Sequence, residues 1–306
     1  MIRLKSPVEG EPQPVDACLD EIQRQYQVHG RPATRSALNA HWNTIKTRVE
    51  HYIDHRGDVT KIGPSPFRPV PTTSPASAIA NAGDLLFKRY DRDDVVRTSI
   101  VAHAKRVMTT HCPYCGLGMS EKPRGISHDR DHVLPRSKYP EYSLLRVNLV
   151  ISCDDCNKVK KAQDVDSSGE RLFVHPYFDE FLNEACLDAS ATATERGTPK
   201  IGFSVRATRS PATAALVNRH ATALDLWKRY DDEPLREAVR LLEAHAMGLA
   251  EGETDLDRVR VRLRRHAARD LTERPSDPLC LILGALAESP DLEAMLWAAG
   301  LGLSSA

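Results

Sequence analysis

The sequence predicts a mainly α-helical protein carrying a small α+β insert. Three observations point there. Apolar residues recur at helical spacing both early in the chain and from Ala212 onward. A cysteine-rich stretch, 112–156, interrupts them. Strand-like alternation is confined to short segments, of which PKIGFSVRA (199–207) is the clearest. The expected organisation is an N-terminal helical region over 1–110, a metal-held finger over 111–165, and a mainly helical C-terminal region over 166–306.

Taken in order, Asp16 follows Pro14 and can cap a helix through about Val28, with Leu19, Ile22 and Tyr26 on one face. A second helix over 35–54 places Leu38, Trp42, Ile45, Val49 and Ile53 on one stripe, which reads as core. IGPSPFRPVPTTSP (62–75) holds five prolines in fourteen residues and reads as an extended loop or linker. Helices over 76–90 and 93–109 lead into the finger. DSSGE (166–170) separates the finger from VHPYFDEFL (174–182), whose His175 reads as a packing residue. In PKIGFSVRA, Ile201, Phe203 and Val205 fall to one side of a strand. Five helices are then expected, punctuated by Pro234, Gly252, Pro275 and Pro290. One of them puts Arg258, Arg262, Arg265 and Arg269 on one face, with Arg260 and Arg264 beside it. That face reads as solvated, with phosphate contact as the alternative.

Composition narrows the function classes. Hydrophobic content of 41% and charged content of 27% exclude a disordered chain. No apolar run is long enough to cross a bilayer, and MIRLKSPVEGEPQP lacks the apolar core of a signal peptide, so a cytoplasmic protein is expected. Seven cysteines, four of them grouped, suit a reducing compartment; Cys18, Cys186 and Cys280 read as small buried hydrophobes. With 42 basic and 42 acidic residues, the net charge is zero. A protein that captures DNA unaided usually carries a basic excess, so local or partner-assisted capture is expected.

The chemistry lies in CPYCG (112–116), DHVLPRS (131–137) and NLVISCDDCNKVKK (148–161). Cys112, Cys115, Cys153 and Cys156 form two Cys-x-x-Cys pairs, and a two-residue spacer lets a turn present both sulfurs to one ion. They are the expected ligands of a structural, tetrahedral Zn2+. His111 is an alternative ligand that a full cysteine tetrahedron leaves no room for. Asp131, His132, Asn148 and Asn157 are not needed by zinc. They suit a hard divalent cation and a general base. SHDRDHVLP (127–135) reads as a strand running into a loop at Pro135, and SCDDCNKVKKAQ (152–163) as a turn opening a helix that sets Asn157 and Lys160 on one face.

This segment resembles the HNH (ββα-metal) endonuclease family, whose motif is an Asp-His pair, a central Asn before a hydrophobic residue, and a closing His or Asn. The likeness covers 111–162, with Asn157 as the closing residue. VHPYFDEFL resembles the continuation in bacterial HNH proteins of anti-phage defence systems, of the Septu nuclease-subunit type. The resemblance implies Asp131 and Asn157 as ligands of a catalytic Mg2+ or Mn2+, His132 as general base, and Asn148 as brace of the loop that orients it. Lys160 or Lys161 would contact phosphate as a point charge, and Arg136 and Lys158 are further candidate nucleic-acid contacts. His128 is a candidate further metal ligand. The implied function is hydrolysis of DNA phosphodiester bonds, with an ATPase of a defence system as protein partner and no membrane association. The competing reading is a zinc finger without catalysis, binding nucleic acid or acting as a scaffold.

Overall fold

The computed structural model describes residues 19–20, 22–24, 27, 32–67, 111–119, 129–160, 163–206, 210–251, 255–271 and 276–300. The helices expected over 76–90 and 93–109, the prolines beyond Phe67, Cys18, His128 and Lys161 lie outside these residues. The chain divides into two compact units. One draws on 3–114 and 118–180, and the other runs from Phe181 and includes Cys115–Leu117. The boundary therefore differs from the one expected at residue 165. The reason is packing: Tyr177 Oη donates to the Leu149 carbonyl at 3.1 Å, and His175 is buried beside Tyr52, so 163–180 belongs with the finger.

In the first unit, the described residues of the expected first helix are helical and bury Leu19 and Ile22. Helix α1 (Pro32–Asp54) buries Leu38, Ile45, Val49 and Tyr52 along one face, while Trp42 and Ile53 are half-buried. It ends where Arg56 and Gly57 turn to positive φ and the Gly57 N–H donates back to the Tyr52 carbonyl at 2.8 Å. A Cβ on Gly57 would lie 2.4 Å from His175 Cδ2, so glycine is required there by space as well as by φ. Asp58 then caps the short α2 (Val59–Ile62) by accepting from the Thr60 N–H. Of the two readings of the proline-rich stretch, loop or linker, its described residues 63–67 take the loop. Ser65 and Phe67 are buried, so 63–67 is a packed loop and not a free linker.

Two antiparallel strands, β1 (Asp129–His132) and β2 (Leu149–Ser152), pair in the register Asp131↔Val150 and His132↔Leu149. Helix α3 (Asp154–Lys160) follows, with Asp154 and Asp155 in its first turn, where acidic groups suit the helix dipole. Between the strands, two single-turn 3-10 helices carry the loop of residues 133–148. Glu141 in this loop anchors it to α1. Arg48 Nε donates to Glu141 Oε1 at 3.0 Å, Ser65 Oγ donates to Oε2 at 2.7 Å, and the Arg48 guanidinium also donates to the Ile62 and Gly63 carbonyls.

The second unit holds a hairpin, β3 (Leu187–Ala193) and β4 (Pro199–Val205), in the register Ala191↔Ile201. Strand β4 was expected; its small-residue partner was not. Among the described residues six helices follow where five were expected: α4 (Pro211–Ala223), α5 (Leu226–Tyr230), α6 (Glu233–Ala250), α7 (Leu256–Leu271), α8 (Pro278–Glu288) and α9 (Leu292–Gly300). Their core gathers Ile201, Leu242, Val259, Leu263, Ile282, Leu286, Met295 and Leu296. On α7, Arg258, Arg262 and Arg265 are exposed. Arg260 reaches the Ala287 carbonyl and Arg264 forks onto Glu288 of α8.

Removing one partner of a buried ion pair strands the other charge. Glu141→Ala is therefore expected to destabilise the first unit by about 3 kcal/mol or more. Glu141→Gln, which can still accept and donate, is expected to cost less. Urea or thermal unfolding midpoints of the full chain check both.

Candidate metal centre and histidine site

The four cysteines converge. The sulfurs of Cys112, Cys115, Cys153 and Cys156 all lie within 4.8 Å of one another, and three of the residues are fully buried. Tetrahedral Zn–S bonds of about 2.3 Å put sulfurs about 3.8 Å apart, so the set fits one zinc ion. Among the described residues it is the one group of three or more His, Cys, Asp or Glu side chains able to hold an ion. The Cys153 N–H points to Cys112 Sγ at 3.4 Å, a contact that stabilises a thiolate. Cys153 also accepts the Asn157 N–H through its carbonyl, so the second knuckle runs directly into α3. His111 bridges to Gly118 through the backbone and is not part of the sulfur group.

Strand β1 delivers Asp131 and His132 side by side, and both are buried. His132 Nε2 lies 2.9 Å from the Ser143 carbonyl. A carbonyl only accepts, so Nε2 carries the proton and Nδ1 of the neutral ring keeps its lone pair. Burial pushes the His132 pKa down to about 4, and the charges of Arg136 and Lys160 add to that, so the ring is neutral at cellular pH.

Asn148 holds the loop that supplies Ser143. Its Oδ1 accepts from the Leu134 N–H at 2.8 Å and from Tyr52 Oη at 3.1 Å. Its Nδ2 donates to the Leu134 and Tyr142 carbonyls, both at 3.2 Å. All four bonding positions of this fully buried amide are filled.

Asp131 has a partner that sequence reasoning placed elsewhere. Lys160 was expected at phosphate; it is 2% exposed, with its ammonium 3.1 Å from Asp131 Oδ2. The same ammonium lies 4.5 Å from the Tyr114 ring centre and 4.9 Å from that of Phe173. Two aromatic faces and a carboxylate make this interior position tolerable for a cation. Burial raises the Asp131 pKa, and Lys160 opposes that rise. Hydrogen bonding from Lys160, from Tyr114 and from the His132 backbone also opposes the rise, so the carboxylate is held ionised among several donors. An ionised, buried carboxylate of this kind suits a hard cation. Asn157, buried one turn before Lys160 on α3, could supply a second, neutral oxygen, and magnesium is commonly held by so few protein ligands. Of the candidate nucleic-acid contacts, Lys158 is exposed and Arg136 is half-buried.

Tyr52, Ser143, Tyr114 and Phe173 were not found from the sequence. Tyr114, between two zinc cysteines, carried the one local signal. His175 packs as expected, fully buried, with Nδ1 accepting from the Tyr177 N–H and Nε2 2.9 Å from Tyr52 Oη.

Comparison with known proteins leaves the family open. No family model and no solved structure matches the chain. Over 90 residues it is 37% identical to Protein ea31 of Escherichia phage lambda. The aligned stretch is 29% of this chain and spans 27% of that protein, whose name states no activity. Among the described residues no helix is long and apolar enough to cross a membrane.

Two outcomes are expected. Replacing any of the four cysteines by serine should release zinc and unfold the finger, since structural zinc contributes on the order of 10 kcal/mol to such units. Metal analysis and limited proteolysis check this. Burial also holds the His175 pKa well below its ordinary value of about 6.5. Below that pH the unfolded chain takes up a proton that the folded chain refuses. The stability is thus present above about pH 6.5 and is lost as pH falls toward the folded value. Unfolding midpoints from pH 7.5 to 5 should fall in the wild type and fall less in His175→Gln.

Proposed function

We propose that the β1–β2–α3 unit is the catalytic finger of an HNH-type endonuclease that hydrolyses DNA phosphodiester bonds. The observation that carries this reading is the seating of His132. A neutral, buried imidazole is held by the Ser143 carbonyl in the tautomer that leaves Nδ1 the basic nitrogen, and the residue before it on β1 is a buried carboxylate. Nδ1 would take the proton from the attacking water. An approaching phosphate would offset the positive charges of Arg136 and Lys160, raising the basicity of His132 as the substrate arrives. Asp131 and Asn157 would hold one divalent ion, Mg2+ or Mn2+, which when bound polarises the phosphoryl oxygen and stabilises the leaving oxygen. Lys158, exposed on α3, would meet the backbone, with Arg136 nearer the histidine. The zinc cysteines would brace the finger and take no part in the reaction.

The chain is read further as the nuclease component of a bacterial defence complex, with an ATPase as partner. Zero net charge leaves little long-range attraction to DNA. The C-terminal unit, whose described residues hold no ion-binding cluster apart from Cys115, exposes Trp297 and Met247, surface of the kind a protein partner covers.

One observation favours a second reading, a zinc finger that binds or scaffolds without cutting. The Lys160 ammonium already sits against Asp131, on the carboxylate that the divalent ion would use. Supercoiled plasmid incubated with and without Mg2+ or Mn2+ separates the two. Under the nuclease reading, metal-dependent nicking is expected, His132→Ala reduces it at least 100-fold with zinc retained, and Asp131→Ala or Asn157→Ala weakens metal dependence and rate together. Binding without nicking, with or without products of neighbouring genes, would support the second. Co-purification of an ATPase is the expected sign of the partner.

A further inference from the structure

We infer that Tyr52 and His175 are positioning residues for His132, acting through Asn148; the inference deepens the nuclease reading and rests on it. The hydrogen-bond directions follow from the partners. His175 Nδ1 accepts from the Tyr177 N–H at 3.3 Å, so Nε2 is the protonated nitrogen of the neutral ring. Nε2 therefore donates to Tyr52 Oη at 2.9 Å, and Tyr52 Oη must turn its own proton to Asn148 Oδ1 at 3.1 Å. The chain of donors runs one way, from His175 through Tyr52 to Asn148.

Asn148 passes this constraint to His132 on both sides. Its amide grips both the N–H and the carbonyl of Leu134, two residues beyond His132. Its Nδ2 also holds the Tyr142 carbonyl, one residue before the Ser143 carbonyl that takes the His132 proton. The backbone adds a third tie, the Val133 N–H to the Asn148 carbonyl at 2.9 Å. A shift of Asn148 thus moves both the strand end that carries the histidine and the acceptor that sets its tautomer.

The relay is built to stay put. Tyr52, Asn148 and His175 are each at most 1% exposed. The His175 ring is pressed against Gly57, where a Cβ would meet it at 2.4 Å, and packs tilted at 40° against Phe178 with ring centres 4.5 Å apart. Its backbone N–H is taken by Asp179, which Arg171 pairs. A hydrophobic core would need none of these polar groups. Three consecutive buried donors that end on the loop beside a buried histidine indicate that orientation, more than stability, is what they supply.

The test uses the full-length zinc-loaded chain and Tyr52→Phe, His175→Leu and His175→Gln. Tyr52→Phe removes a single hydroxyl, and glutamine can restore a donor near the former Nε2. Two readouts are taken: the ring tautomer of His132 by long-range 1H–15N NMR, and plasmid nicking with Mg2+. Tyr52→Phe and His175→Leu should retain zinc and melt cooperatively, convert His132 from a single Nε2–H tautomer to a mixture, and lower kcat about tenfold with KM little changed. His175→Gln should recover most of both. A single unchanged tautomer in folded Tyr52→Phe overturns the positioning role, as does loss of kcat that glutamine fails to rescue. Wild-type protein that never nicks defeats the nuclease reading instead, and the tautomer readout still decides whether the relay positions His132. If His175→Leu does not fold, Tyr52→Phe alone carries both readouts.

Discussion

The arrangement around His132 depends on one buried amide. Asn148 has two lone pairs and two N–H groups, and all four are engaged, three by the loop of residues 133–148 and one by α1. The backbone bonds within this loop close mostly local turns, such as Tyr142 N–H to Tyr139 and Leu145 N–H to Tyr142, and the Asn148 side chain ties its start at Leu134 to its middle at Tyr142. Asparagine suits the position because its planar amide matches a peptide group, so it can pair with Leu134 as a neighbouring strand would. Aspartate could not donate, and leucine would take from the Leu134 N–H and carbonyl the side chain that pairs them and from the Tyr52 hydroxyl its acceptor.

Two buried charge pairs of different character frame this loop. Arg48 and Glu141 are joined by hydrogen bonds, with Ser65 and two carbonyls completing the set, so desolvation is offset by direct bonding. Lys160 and Asp131 are close but less well bonded, and the lysine relies on aromatic faces for part of its stabilisation. The first pair behaves as structure, tying α1 and the proline loop to the finger. The second has the features of a site: a carboxylate whose pKa burial raises, a cation against it, and a neutral histidine next in sequence.

Much of the finger could be read directly. Both Cys-x-x-Cys knuckles, the strand ending in Asp131 and His132, and the helix carrying Asn157 depend on spacing within a few residues, and local geometry follows from local sequence. The helical flanks were legible for the same reason, since α1 shows its buried face in Leu38, Ile45 and Val49. Strand β3 escaped because Ala189, Ala191 and Ala193 have weak intrinsic strand preference and Thr192 alone among 189–193 favours a strand; pairing with β4 decides their state. The short α5 escaped because five residues are too few for a period to show.

Sequence by itself determined the ligand set of the sulfur cluster, the helical character of the flanks, and the residue types available beside His132. Tertiary structure alone decided how those types are used. Lys160 shares a helix face with Asn157 in any reading, but only the packing of Tyr114 and Phe173 around it turns the ammonium inward to Asp131. Tyr52 stands 96 residues from Asn148 and 123 from His175, and no spacing rule reaches across such distances. A hydrogen bond is specified by where two groups end up after the core has formed. The chain can name its donors and acceptors, while the fold chooses which of them meet.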